Sequence, residues 1–160
     1  MIGKNNLLPA IIGTSLMTLF SDFISKLEKS NFNESELLAD IEKKYLPSSV
    51  KQLSLPAAWI THYSVGIVMT SLFNIIWQTF KIKSTFKRSM ILGTVGGLIA
   101  IYGWKILFNA LPSHSRSYYR RFYTQLFIAH FVFAYIVTIT QKIGNHRDNL
   151  SADVLPQNPL

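Results

Sequence analysis

Residues 56–80 read PAAWITHYSVGIVMTSLFNIIWQTF, and this stretch decides the fold. It is long enough to cross a bilayer as one helix, since the hydrocarbon core needs about 20 apolar residues. Three more apolar runs accompany it, at roughly 7–27, 89–111 and 121–141. Short basic connections separate them, and one longer loop fills 28–55. The pattern predicts an all-α, integral membrane four-helix bundle occupying residues 1–143. The segment 144–160 reads as a polar, poorly ordered tail.

Composition agrees. Hydrophobic residues make up 49% of the 160 residues and charged residues 15%, and the charges cluster between the runs. The net charge is +8. No zinc-finger, helix-turn-helix or RNA-binding signature accompanies it, so membrane lipid is the expected anionic partner and nucleic acid is not. There is no cysteine, which excludes disulfides and thiolate chemistry. Lys4 and the first apolar run look signal-like, but Phe20-Ser21-Asp22-Phe23 offers no small-residue cleavage site, so the run reads as a retained span.

The loop predicts a short amphipathic helix at about 34–46. Asn33 and Glu36 have capping-box spacing. Leu37, Leu38, Ile41 and Tyr45 fall on one side, with Glu34, Asp40, Glu42, Lys43 and Lys44 making the polar remainder. Such a helix lies on the membrane surface or covers the mouth of the bundle.

Polar residues inside the spans mark which faces turn inward. Thr14, Thr18, Ser21, Asp22 and Ser25 share a face of the first span. His62, Gly66, Thr70, Asn74 and Gln78 recur every four residues in the second, and His130, Ala134, Thr138 and Gln141 share a face of the fourth. Gly93 and Gly97 give the third span a GxxxG spacing, which allows close helix approach and would supply contacts to a partner.

Each span also carries one ionisable residue near the same end: Asp22, His62, Lys105 and His130. Counted from the span ends, they lie about 6, 9, 10 and 13 Å deep at 1.5 Å per residue. Ionisable groups in a membrane are a functional-site hypothesis by default. Asp22, His62 and His130 lie on inward faces. Lys105 does not, and its long stem suits an anchoring role at the interface. Asp22 has a bland alternative, a surface pair with Lys26.

Several chemistries suit the cluster. The histidines can simply hydrogen-bond across helices. With Asp22 they can bind a polar substrate group or relay protons. Zinc on His62, His130 and Asp22, or a haem between the two histidines with arginines near its propionates, are lesser readings, and no cofactor is favoured. Arg116, Arg120 and Arg121, interleaved with Tyr118 and Tyr119, suit an anionic lipid headgroup region or a plain interfacial belt.

The stretch Trp59-Ile60-Thr61-His62-Tyr63-Ser64-Val65-Gly66 resembles small four-span bacterial inner-membrane proteins of unknown function, the YagU-like group and its relatives. Gly13-Thr14-Ser15-Leu16-Met17-Thr18 and Ala129-His130-Phe131 extend the likeness to spans one and four. The resemblance implies a bacterial inner membrane and draws attention to His62 and His130. It implies no activity.

No catalytic motif is present. The leading expectation is a small subunit or binding protein that associates with lipid, with a second copy or with a larger membrane complex. The alternative is a transporter-like or enzymatic protein using the Asp/His cluster. Basic residues are nearly balanced between the two sides, seven against eight. The dense 81–88 loop favours both termini in the cytoplasm, and the inverted topology is the alternative.

Overall fold

Two prolines lie inside apolar runs without breaking a helix, because both fall in a first helical turn. Pro9 is the third residue of α1 (Leu7–Glu28) and Pro56 the third of α3 (Ser54–Thr79). The N–H groups there have no intrahelical partner in any case. The structure is a computed structural model that describes residues 6–81, 85–111 and 114–154. Its other helices are α2 (Glu34–Tyr45), α4 (Phe86–Leu107) and α5 (Arg116–Val154). Short 3-10 turns at Ser48–Leu53 and Phe108–Ala110 precede α3 and follow α4. There is no strand among the described residues.

The architecture is therefore the expected all-α bundle, and four of its helices are long and apolar enough to cross a membrane. Helix ends differ from the sequence reading. α4 starts at Phe86, after an extended Thr85, and its α-helical part stops at Leu107. α5 starts at Arg116 because Ser115 caps it, accepting from Tyr118 N at 3.2 Å. It continues to Val154, past Gly144, where the sequence reading placed the start of a poorly ordered tail. No proline interrupts it before Pro156.

Asn33 caps α2 as its spacing predicts, its Oδ1 accepting from Ser35 N and Glu36 N. The return half of the box is replaced: Asn31 Nδ2 donates to Glu36 at 2.9 Å, and Asn31 Oδ1 accepts from Asn33 N. Phe32 anchors this corner. It is fully buried against Tyr118 and Phe122 of α5, and Tyr118 Oη donates to Asn31 O. Leu37 and Ile41 of α2 are buried in the same core, while Tyr45 is exposed. The loop helix thus covers the mouth of the bundle.

α5 stands between α1 and α4, and α3 rests on α1 and α2. Glycines make the crossings close. A Cβ on Gly13 would lie 2.7 Å from Val137, and one on Gly97 2.8 Å from Phe127. One on Gly93 would meet Phe131 and the His130 carbonyl. The GxxxG face is thus occupied by α5 of the same chain, which corrects the expectation that it offers contacts to a partner.

Alongside its apolar core the bundle buries many polar side chains, and its outside is apolar. Thr14, Thr18, Ser21, Thr70, Ser89, Gln125 and Thr138 are buried, while Leu19, Ile60, Ile91 and Ile99 are each more than 60% exposed. This distribution suits lipid on the outside, where polar groups rather than apolar ones must find partners between helices.

Overpacking a close crossing costs about 1–3 kcal/mol. Gly97→Leu should therefore lower the melting temperature in detergent. Gly103, which has nothing within 4 Å of a would-be Cβ, should accept Leu without loss. Equal effects in thermal unfolding would mean that α4 does not meet α5 through this face.

Candidate functional site

The polar face of α1 is the spine of the site. Thr14, Thr18, Ser21, Asp22 and Ser25 recur at helical spacing, and each bonds or abuts a different neighbour. At the deep end, Thr18 Oγ1 donates to Thr14 O at 2.9 Å and lies 3.1 Å from His62 Nε2. A hydroxyl has one proton. With that proton on the Thr14 carbonyl, Thr18 accepts from Nε2–H of His62, and Nδ1 is left as the acceptor of the neutral ring. His130 has the opposite tautomer. Its Nδ1 lies 2.8 Å from Leu126 O, and a carbonyl only accepts, so the neutral ring keeps Nε2 as its acceptor.

Both histidines line one cavity of about 40 Å³, together with Thr14, Gly66, Met69 and Phe133. That space holds a water molecule or two. The Thr14 hydroxyl oxygen is buried there without a hydrogen-bond partner. It sits against Gly66, where a Cβ would come within 2.0 Å of it. Only glycine lets α3 approach this closely.

One turn toward the loop, Ser21 forms a second polar level. Its hydroxyl donates to Glu34 Oε1 at 3.0 Å or to Met17 O at 3.2 Å, and accepts from Gln125 Nε2 at 2.5 Å. Glu34 is 2% exposed. Burial raises its pKa from 4.5 to about 7, and hydrogen bonds from its backbone, Ser21 and Gln125 only partly offset that. Glu34 Oε2 and Gln125 Oε1 are both buried without partners. Both are acceptors while Glu34 is ionised. Protonation turns one oxygen of Glu34 into a donor.

The structure divides the cluster expected from sequence. His62 and His130 come together. Asp22 does not join them: it lies a turn nearer the loop, half-buried, and accepts from Asn33 Nδ2 at 2.6 Å. Lys105 is exposed on α4 and does not line the histidine cavity. No group of three or more His, Asp or Glu gathers as metal ligands among the described residues, so the set His62, His130 and Asp22 is not assembled. A haem does not fit a cavity of this size. Arg121 pairs with Glu28 at 2.7 Å, and Arg116 and Arg120 are exposed at the same end of α5.

Sequence reasoning missed Glu34 and Gln125. Gln125 was readable, because an uncharged amide inside an apolar span turns inward by the rule that placed His130. Glu34 was not. The first residue of a capped, charged helix normally faces solvent.

The sign of the Glu34 effect is fixed. Its folded pKa lies above its unfolded one, so its contribution to stability is full below pH 4.5 and gone above about pH 7. The whole change is about 3 kcal/mol. Thermal unfolding across that window should show wild-type stability falling as pH rises. In Glu34→Gln this component should vanish. An unchanged slope in the variant would mean that Glu34 is not buried.

Comparison of the chain with family models, with curated proteins and with solved structures finds no match.

Proposed function

We propose that this chain is a non-enzymatic multi-pass protein of a bacterial inner membrane, with both termini cytoplasmic. It works as a small subunit or binding protein through its outer surface, in association with lipid and with a second copy or a larger membrane complex. The likeness of residues 59–66 to the YagU-like group accords with that setting. One observation carries the reading: the cavity that both histidines line has no room for a substrate. The histidines surround space for a water molecule or two, and His62 bonds Thr18 and His130 bonds Leu126 O within the bundle.

The thinly packed α3 supports the partner. Of the four long apolar helices it has the smallest buried share, and α5 the largest. Ile60, Val68 and Ile75 are each more than half exposed on it. With the glycine face of α4 used internally, α3 is the better contact surface.

A second reading, proton handling, is favoured by a specific arrangement. Glu34, with a pKa of about 7, bonds Ser21 on α1, and about one turn deeper on the same helix Thr18 bonds His62 at the cavity it shares with His130.

The cysteine-free chain makes the test clean. Val68→Cys on α3 should form a disulfide-linked dimer or capture a partner when membranes are oxidised, and Leu98→Cys on α4 should not. His62→Ala and His130→Ala should leave that adduct intact. Proton flux in vesicles containing wild-type protein, abolished by the two histidine variants, would overturn the proposed reading in favour of the second.

A further inference from the structure

A groove of about 240 Å³ runs between α1 and α5 and opens at their loop-side ends. Its chemistry changes with depth. Glu28, Arg120 and Arg121 form the rim, at the last turn of α1 and the second turn of α5. Thr124 and Gln125 follow one turn deeper. Phe20, Ile24 and Ile128 line the apolar part. The helices are antiparallel, so both walls begin charged and end apolar: α5 passes through Thr124 and Gln125, whereas α1 goes directly from Glu28 to Ile24. From Glu28 to Phe20 the descent is about 12 Å at 1.5 Å per residue.

We propose that this groove seats an anionic phospholipid, its phosphate at Arg120 and Arg121 and one acyl chain along Ile24, Phe20 and Ile128. The inference deepens the proposed lipid association by naming the seat and the ligand class. Three observations carry it. The first is charge. Arg121 is paired with Glu28, while Arg120 is exposed and makes no ion pair among the described residues. Two arginines against one glutamate leave the rim with one net positive charge, and guanidinium groups bind phosphate oxygens in a fixed fork. The second is position. The rim coincides with the end of the span Leu7–Glu28, where headgroups lie, and the apolar part falls at acyl depth. The third is the middle level. Thr124 and Gln125 line the groove there, between the arginines and Ile128, and these polar side chains fall at the depth of the ester groups rather than of the acyl chain. A soluble anion would match the rim and leave the apolar walls uncovered. An apolar protein segment would leave Arg120 unmatched.

The test uses the full chain in bilayer discs of phosphatidylcholine and phosphatidylglycerol in equal amounts. Lipids retained after transfer to mild detergent are counted by mass spectrometry. Wild-type protein should retain phosphatidylglycerol in preference. Arg120→Gln leaves the Arg121–Glu28 pair in place and should lower that preference about fivefold, the effect of one basic group at a membrane surface. Ile128→Trp, at a site already 43% exposed, should fill the groove and reduce retention of both lipids with the arginines intact. Lys142→Gln, an exposed cation outside the groove, should change nothing. Equal retention of the two lipids by wild-type protein would overturn the proposal, as would an unchanged preference in Arg120→Gln. Full retention in Ile128→Trp, or release of the lipid by inorganic phosphate alone, would also overturn it by showing that the apolar walls take no part. Loss of the Val68 adduct alongside a retained lipid preference would remove the partner and leave the groove standing.

Discussion

Thr14 and Gly66 meet where nothing larger than hydrogen fits, and that contact sets how α1 lies on α3. Helices in lipid gain little from burying apolar side chains against one another, so close backbone approach and polar contacts must hold them. From Thr14 and Gly66 the register runs in both directions, four residues forward on one helix for four back on the other. Thr18 meets His62, and Ser15 meets the Tyr63 hydroxyl at 2.8 Å. At the far end Asn6 accepts a hydrogen bond from Asn74. Ala10 and Thr70, both with no exposed surface, fall between. One glycine thus aligns a ladder of small and polar residues along most of the membrane-crossing length.

The same register explains why the ionisable residues divide. Continuing it one turn past Thr18 and His62 sets Asp22 opposite Ala58, which is fully buried and has nothing to offer a carboxylate. Asn33, brought over the end of α1 by the loop, takes that role instead. Equal depth in the membrane is therefore not contact. Asp22 and His62 differ by one turn of helix, and that turn separates a wet rim from a nearly dry interior.

Much of this was legible in the sequence. The four apolar runs fixed the number of long helices, the small and polar stripes fixed which faces turn inward, and Asn33 marked the start of the loop helix. Thr14, Thr18 and Ser21 are buried as their spacing required. Pairings between helices were not legible, because a stripe repeating every four residues fits its neighbour equally well after a slide of one turn. Choosing among those registers takes a contact that tolerates only one, and the sequence does not mark which glycine supplies it. Gly66 is such a contact, whereas Gly103, equally visible, touches nothing. Glu34 was hidden for another reason. Its burial depends on Phe32 wedging against Tyr118 and Phe122, a long-range packing event with no local periodicity.

That wedge has a consequence for the loop helix. Phe32 and Leu37 draw α2 onto the bundle by apolar burial, and Glu34 is carried inward between them. A carboxylate there has its own backbone, Ser21 and Gln125 as donors, the last at 3.5 Å and therefore weak, while Oε2 has no partner. Apolar packing favours the closed cap at every pH, and the carboxyl group favours it only while it carries its proton. Two forces of opposite preference thus act on one short helix above pH 7, and the apolar one must exceed the cost of an incompletely partnered charge for α2 to stay closed. The hold of α2 on the bundle is accordingly firmer in acid than in base, at the end of the molecule where the groove between α1 and α5 begins.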